Sequence, residues 1–249
     1  MTIVSAEELE ALRAVGRVVG LTLQGMKDAL RPGMTTAELD AIGAELLASQ
    51  GAHSAPRQVY DFPGDTCISI NDETVHGVPD GRVIQPGDLV TLDVTAELGG
   101  YIADAAITVP LPPVSKVARR LCRCAASALA RALQVARAGR PINHIGRAVE
   151  AEVRRWGFAV IPPLSGHGLG RTIHEEPTIP NFYHRRLTQP LEAGLVIAIE
   201  PIITAGRGKV VTDTDGWTIR TADGALSAHF EHTVVITEGP PIVLTKPEA

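Results

Sequence analysis

The sequence predicts an α+β protein of two similar halves, in which helices precede mainly antiparallel strands. Residues 31–51 and 137–157 each begin with Arg-x-Gly and follow a helical apolar pattern to a final glycine, where a left-handed cap is expected. GDLVTLD (87–93) and GLVIAIE (194–200) each place an acid six positions after a glycine, in an apolar strand. Because both matches are separated by nearly the same length of chain, duplication explains them better than chance.

The halves are expected to meet at VPLPPVS (109–115), which contains three prolines. They then cover about 1–110 and 111–249 of a single domain, and the 45% hydrophobic content suffices for a sizeable core. The first helix is predicted to follow Ser5 as its N-cap, with Glu8 three positions later. Residues before Ser5 are expected to be exposed and flexible.

Composition excludes several classes of protein. A net charge of -5 and a pI near 5.9 give no general attraction to nucleic acid or acidic membranes. Three cysteines without a CxxC pair indicate a reducing compartment rather than a disulfide framework. No apolar run approaches the length of a membrane span, and no signal peptide is recognised. A cytoplasmic protein is therefore expected.

Two acids fall on facing strands of a predicted hairpin, LVTLDVTA (89–96) and YIADAAITV (101–109). With Leu98-Gly99 as the two-residue loop, Asp93 lies directly opposite Asp104 on the same face. Cross-strand partners have Cβ atoms about 5 Å apart, so two carboxylates there repel unless they share a proton or a cation. A pair of surface acids on a solvated face is the alternative that the hairpin alone leaves open.

The second half adds two acids in apolar surroundings. Glu200 is expected inside the strand GLVIAIEPII, and Glu231 where SAHFEHTVVI enters an apolar strand. A lone charge in such a strand is costly, so four strand carboxylates, two from each half, predict a common cation. Carboxylates with few thiols favour a pair of hard or borderline divalent metals over a structural zinc.

Histidines near glycines complete the candidate site. SGHGLGRTIHEEP (165–177) contains His167 and His174, and His167 is the candidate nitrogen ligand because neutral imidazole suits these metals. His76 precedes a Gly-x-Pro turn and is expected on a loop, where catalytic side chains are often found. A single histidine is more often structural, but three beside four buried acids favour function. The other five are interpreted as ordinary: His53, His144, His184, His229 and His232.

Together the motifs resemble the type I methionine aminopeptidases, over about residues 5–240. In chain order they are CISINDETVHGVPD (67–80), the acid pair within TLDVTAELGGYIADAAITV (91–109), GHGLGRTIHEEP (166–177), IAIEP (197–201) and DGWTIRTADGALSAHFEHT (215–233). Each is moderately specific, and all five in this order are very specific. The resemblance implies the pita-bread fold, with two pseudo-twofold-related αβ halves around a mainly antiparallel curved sheet.

The resemblance also implies a dinuclear centre of two divalent metal ions, for which Co, Mn, Fe and Zn all tolerate the ligand set. Carried over by position, Asp104 and Glu231 bridge the ions. His174 hydrogen-bonds the developing oxyanion, His76 contacts the scissile amide nitrogen, and Glu200 moves a proton towards the leaving amine. The full implied ligand set is Asp93, Asp104, His167, Glu200 and Glu231, and the implied methionine pocket is Phe62, Cys67 and Trp217. Simple packing at a turn is the alternative for Trp217.

The implied activity is removal of the initiator methionine from nascent proteins whose second residue is small. Methionyl peptides and nascent chains are the implied partners, a ribosome contact is left open, and a monomer is expected. The nearest rival is a proline-directed aminopeptidase or prolidase of the same fold, a group that lacks the DGWT…SAHFEHT run. A catalytically inactive binding module on this fold is the rival from another class, and the five intact ligand positions argue against it.

Two departures from the family pattern concern the pocket. Val59, Tyr60 and Asp61 stand where the family tends to have an aromatic residue, a histidine and a glycine. Ile173 stands where an aromatic residue is common. The resemblance places these positions in or beside the methionine pocket, so its shape is expected to differ from the family's.

Overall fold

The computed structural model describes residues 1–246 and contains five α-helices along them. Ser5 caps the first helix as predicted, since its side chain accepts a hydrogen bond from the Glu8 N–H. Gly51 and Gly157, which close the two repeated helical patterns, both have left-handed φ angles, of 74° and 80°. The helices are α1 (Ala6–Ala29), α2 (Thr36–Ser49), α3 (Ala55–Tyr60), α4 (Lys116–Val135) and α5 (Asn143–Trp156).

Short strands form four sheets, and every ladder between described strands is antiparallel, as predicted. The strands are β1 (His53–Ser54), β2 (Cys67–Ile70), β3 (Glu73–Val75), β4 (Leu89–Leu98), β5 (Tyr101–Pro110), β6 (Ala159–Val160), β7 (Ser165–Gly168), β8 (Glu175–Pro180), β9 (Val196–Ile199), β10 (Ile202–Thr204), β11 (Val210–Thr212), β12 (Ile219–Thr221), β13 (Ser227–His229), β14 (His232–Val235) and β15 (Ile242–Val243). The sheets run β1-β4-β2 with β5 beside β4, β13-β10-β6, β11-β12-β3 and β15-β14-β9-β7-β8.

Two large apolar clusters fill the interior. One packs α1 and α2 against β4 and β5, and the other packs α4 and α5 against β9, β10 and β14. The first helix pair thus covers the strands that carry Asp93 and Asp104, and the second covers strands that flank Glu200 and Glu231. That the halves 1–110 and 111–249 arose by duplication stays a prediction.

The segment before α1 is held by hydrogen bonds to the rest of the chain, whereas its position in the sequence predicted an exposed and flexible segment. The Met1 carbonyl accepts a hydrogen bond of 2.9 Å from the Val196 N–H, and the Ile3 N–H donates to the Gly194 carbonyl at 2.8 Å. Met1 and Ile3 also pack against the apolar cluster under α1. Contacts with a distant strand, which local sequence does not reveal, therefore hold this segment.

The hairpin of β4 and β5 has a different register from the predicted one. Its two-residue loop is Gly99-Gly100, so Asp93 pairs with Ala106 and Asp104 pairs with Thr95. Both loop residues have positive φ, 61° and 82°, as a type I′ turn requires. The predicted loop would have forced Leu98 into that conformation, at roughly 1–2 kcal/mol. Because the pairing moves by two residues, both acids keep the same face and become diagonal neighbours.

Among residues 1–246, no helix is both long and apolar enough to cross a membrane. The three cysteines are buried and unpaired.

We expect Gly99→Ala to lower the free energy of unfolding by roughly 1–2 kcal/mol, because alanine pays for a left-handed φ that glycine adopts freely. A Cβ at this position meets no atom within 4 Å, so backbone strain accounts for the whole effect. Urea unfolding measures it. Gly81→Ala is the matched control, since Gly81 also has open space but no left-handed φ. Equal losses in the two variants would contradict the assigned turn.

Candidate metal centre

All of the side chains predicted to form the site line one cavity of about 300 Å³. The structure thus brings together groups that lie up to 169 positions apart in the chain. The predicted residues on its wall are Phe62, Cys67, His76, Asp93, Asp104, His167, His174, Glu200, Trp217 and Glu231.

The first pair of acids comes from the β4–β5 hairpin. Although Asp93 and Asp104 are diagonal rather than opposite, they still interact: burial first, and the charge of Asp104 second, raise the pKa of Asp93. Hydrogen bonds between uncharged groups hold the backbone here. The Asp104 N–H donates to Thr233 Oγ1 at 2.8 Å, and that hydroxyl donates to the Asp104 carbonyl at 2.7 Å. The carboxylate of Asp104 is therefore positioned without a cationic side chain.

The second pair lies between strands, which corrects the expectation that Glu200 lies inside a strand and agrees with Glu231 at the entry to one. Glu200 separates β9 from β10, and Glu231 separates β13 from β14. The pairs Ile199–His232 and Ile202–His229 place the two glutamates across from each other, where the chain passes from one sheet to the next. The gap in the ladders leaves both side chains free to turn into the cavity. The Asn181 side-chain amide supports the break by donating to the Glu200 carbonyl at 2.8 Å.

His167 lies on β7, a short strand, and not in a turn as its glycine neighbours suggested. Its Nδ1 is 2.9 Å from the Gly168 carbonyl, which can only accept, so Nδ1 carries the proton and Nε2 keeps its lone pair. Nε2 lies 3.5 Å from Glu200 Oε1. Ligand atoms of Asp104, His167 and Glu231 all lie within 4.8 Å of one another, as donors to a shared ion would.

The electrostatics of the four acids favour a bound cation. Burial first, and neighbouring carboxylates second, raise the pKa of these acids well above ordinary values: Asp93, Asp104, Glu200 and Glu231. Burial also lowers the pKa of His167 to about 4, which keeps its ring neutral and able to bind metal. Asp104 Oδ1 and Glu231 Oε1 are buried without a hydrogen-bond partner in the described chain. This oxygen-rich set with one imidazole fits a pair of divalent cations.

The remaining predicted residues form the rest of the wall. Phe62 and Trp217 meet edge to face, with ring centroids 5.3 Å apart. Cys67 pairs with Asp93 across β2 and β4, and burial followed by that carboxylate raises the pKa of its thiol well above the ordinary value, so it stays a neutral apolar group. The exposed His76 has a φ of 58°, which the turn before Gly77 imposes. The wall of the cavity thus contains apolar side chains beside the acids and histidines.

The departures from the family pattern have separate consequences. Val59 is 52% exposed and does not line the cavity, whereas Tyr60 and Ile173 do. Asp61 caps α3 with a left-handed φ of 56°, a conformation that glycine adopts without cost and aspartate tolerates. Of the departing residues, Tyr60 and Ile173 are thus the two that line the cavity, and a pocket shape different from the family's stays a prediction.

His229 was interpreted as ordinary, but it lies in the site. Its ring is 1% exposed, and Nε2 lies 3.4 Å from Glu231 Oε2 and 3.7 Å from Glu200 Oε2. Neither ring nitrogen has a hydrogen-bond partner among the described residues. The sequence held one signal: residues two apart in an extended chain share a face, so a side chain two positions before Glu231 points the same way.

Comparisons with known proteins agree with this geometry. The model of metallopeptidase family M24 matches residues 10–238. Methionine aminopeptidase 2 of Bacillus subtilis (strain 168) is 45% identical over 248 residues, which cover 99% of this chain and 100% of that protein. Methionine aminopeptidase 1 of the same organism is 38% identical over 239 residues, 96% of each chain.

Solved structures show the same likeness. The methionine aminopeptidase from Thermotoga maritima superposes with a TM-score of 0.95 at 33% identity, covering 99% of this chain and 100% of that one. The prolidase from Pyrococcus furiosus superposes with a TM-score of 0.80 at 24% identity, covering 100% of this chain and 66% of that one, which shows the fold alone. The expected pita-bread fold is confirmed.

We expect metal-free Asp104→Asn to become more stable relative to the metal-free wild type as the pH rises from about 5 to about 8. The folded pKa of Asp104 lies above its unfolded value, so its contribution is present at low pH and lost as the pH rises through the folded pKa. The difference in the free energy of unfolding between the variant and the wild type can grow by up to about 1.4 kcal/mol per pH unit. Histidine titration is common to both proteins and cancels.

Thermal unfolding after dialysis against a chelator measures this difference. Added divalent metal should reverse the order, because the wild type has the better ligand set. Asp28→Asn on the exposed face of α1 is the control and should show no such pH trend. A constant difference across the pH range would contradict the interpretation of Asp104 as a buried, uncompensated acid.

Proposed function

This chain belongs to metallopeptidase family M24, and we propose that it removes the N-terminal methionine from polypeptides whose second residue is small. It is a metal-dependent aminopeptidase, as the full-length relatives named methionine aminopeptidase indicate. The observation that supports the assignment most strongly is the convergence of four carboxylates, three of them buried, and a neutral imidazole on one cavity.

The five predicted ligands fit a dinuclear site. When bound, two divalent ions supply Lewis acidity to the scissile carbonyl and to the attacking water. The identity of the metal, among Co, Mn, Fe and Zn, is left open. The residues that would hold the ions are Asp93, Asp104, His167, Glu200 and Glu231.

The apolar wall suits a methionine side chain. Phe62 and Trp217 form a fixed aromatic corner, and Cys67 supplies a small neutral surface beside the acids. Such a wall binds an unbranched apolar side chain by removing it from water, at about 25 cal/mol per Å² of buried surface. The polar groups opposite then orient the backbone of the substrate.

The polar wall supplies proton handling and hydrogen bonds. We assign His174 as a donor to the carbonyl oxygen as it gains negative charge. His76 is assigned to the scissile amide nitrogen. Glu200 is assigned to move a proton towards the leaving amine, because it is a carboxyl group on the cavity wall that can take up and release a proton.

The rival functions are less well supported. Likeness to the prolidases is confined to the fold at 24% identity or lower in the Pyrococcus furiosus and Pyrococcus horikoshii enzymes. An inactive binding module does not need uncompensated buried acids, which destabilise a fold without a cation.

We expect the metal-loaded wild type to cleave Met-Ala-x peptides and to leave x-Pro peptides intact, and chelation to abolish the activity. Asp104→Asn and Glu231→Gln should each lose bound metal and at least 100-fold in kcat/KM, because the amide isostere supplies no charge to the ions. Metal analysis of each purified variant, paired with the peptide assay, measures both effects. Preferential cleavage of x-Pro peptides would favour the proline-directed rival, and full activity in either variant would refute the dinuclear assignment.

Compartment and partners are proposed from surface and cysteine chemistry. Three unpaired cysteines are typical of a reducing compartment, which supports the cytoplasm. One chain supplies every wall of the cavity, which supports a monomer.

Nascent chains are the proposed substrates. We place the ribosome contact on the outer face of α4 and α5.

That face is strongly basic in an acidic protein. Residues 116–155 contain ten Lys and Arg against two Glu, although the whole chain has a net charge of -5. The ten basic residues are all exposed. A concentrated positive surface binds phosphate backbones without reading sequence. Ribosomal RNA is the phosphate surface that nascent-chain processing would present.

We expect the wild type to cosediment with purified ribosomes at low salt, and less so at about 200 mM salt. The triple variant Lys116→Glu, Arg119→Glu and Arg123→Glu should bind at least about 10-fold more weakly, because it reverses three charges on one face. The matched control carries the same charge reversals elsewhere, at Arg13, Lys27 and Arg31. Equal loss in both triple variants would argue against a specific basic face.

A further inference from the structure

Tyr60 forms a hydrogen bond with the candidate catalytic histidine. Its hydroxyl lies 2.8 Å from Nδ1 of His174, and the two ring centroids are 5.9 Å apart. Both side chains line the cavity. The residues lie 114 positions apart, so the contact is a product of the fold. Tyr60 also belongs to the run that departs from the family pattern.

Tyr60 is held firmly although it is 41% exposed. It ends α3, which is capped at its start by Ser54 and at its end by the left-handed Asp61. An ion pair of 2.9 Å between Arg57 and Asp65 ties the helix to the following loop. The hydroxyl is thus presented to His174 by a short rigid element.

The backbone around His174 is fixed independently. Glu175 Oε1 accepts hydrogen bonds of 2.9 Å from the N–H groups of Arg171 and Thr172, and the Thr172 hydroxyl donates to the His174 carbonyl at 3.1 Å. These bonds leave rotation of the imidazole ring undetermined. The Nε2 atom of His174 has no hydrogen-bond partner within residues 1–246. Tyr60 is therefore the polar contact that selects both the ring orientation and the tautomer.

A neutral imidazole carries one proton, and its partner decides which nitrogen holds it. A phenol, with a pKa of about 10, is a far better donor than a neutral imidazole N–H, and the imidazole lone pair is the better acceptor. The favoured arrangement is O–H of Tyr60 donating to Nδ1, with the proton of the ring on Nε2. Partial burial raises the pKa of Tyr60, which keeps its hydroxyl protonated and able to donate.

We propose that Tyr60 is a positioning residue: its hydroxyl donates to Nδ1 of His174 and so holds an Nε2–H donor towards the substrate carbonyl. The catalytic part of this proposal rests on the proposed function, whereas the tautomer does not. The opposite arrangement, with Nδ1–H donating to Tyr60, would leave a lone pair facing a developing negative charge. That geometry would oppose the reaction rather than assist it.

The test combines nitrogen NMR with kinetics on the zinc-loaded protein, which is diamagnetic. Protonated and unprotonated ring nitrogens differ widely in ¹⁵N shift, so histidine labelled with ¹⁵N reports the tautomer directly. His174→Asn identifies the His174 signals by their loss. Tyr60→Phe removes only the hydroxyl, and Tyr183→Phe is the matched control, because Tyr183 is also about 40% exposed and does not line the cavity.

We expect the wild type and Tyr183→Phe to show Nε2–H, and Tyr60→Phe to show a mixture of both tautomers. Metal content and thermal stability should be unchanged in Tyr60→Phe, while kcat for Met-Ala-x peptides falls about 3- to 10-fold, the loss of one hydrogen bond. A KM that stays nearly constant is expected, because the donor acts mainly in the transition state.

Three results would overturn the proposal: Nδ1–H in the wild type, an unchanged tautomer in Tyr60→Phe, or an unchanged kcat in a variant whose tautomer has shifted. A fall in kcat without a change of tautomer would indicate a merely structural role and also counts against it. If the wild type cleaves no methionyl peptide at all, then the proposed function fails, and the NMR result still decides the tautomer.

Discussion

Four carboxyl groups inside one small cavity cannot all be ionised without a compensating positive charge. Coulomb repulsion between unit charges a few ångströms apart is severe away from bulk water, and burial adds to it. In the described chain no lysine or arginine lines the cavity beside these acids. The rest of the site is best understood as an arrangement that tolerates this charge until cations bind.

The scaffold holds these acids by their backbones rather than by their carboxylates. Thr233 binds the main chain of Asp104, Asn181 binds the carbonyl of Glu200, and the Glu231 N–H donates to Ala106 at 2.9 Å. Such neutral bonds fix position and leave carboxylate oxygens available as ligands. His167 follows the same principle, since its Nδ1 bonds to a carbonyl and Nε2 stays free. Second-sphere contacts of this kind orient metal ligands and set their tautomers.

The residues that line the cavity come partly from the sheets and partly from a helix end and connecting segments. Sheet residues supply Asp93, Asp104 and His167, whose positions tolerate little change because a shift of register alters every neighbour. Tyr60, at the end of α3, and the connecting residues His76 and His174 line the same cavity. No departure from the family pattern falls on a candidate ligand, so these changes can alter recognition without disturbing the ligand set.

The sequence by itself determined the fold class, the N-cap of α1 and the identity of every predicted wall residue, because these follow from local pattern and ordered motifs. Tertiary structure decided what depends on distant partners. The hairpin loop lies one residue later than predicted because only glycine adopts both left-handed φ angles at little cost, and Glu200 lies outside its predicted strand because the chain changes sheets there. For His229 the one sequence signal was its place two positions before Glu231. The Tyr60–His174 bond could not be predicted, because packing selects a side-chain partner 114 positions away and no local spacing records that choice.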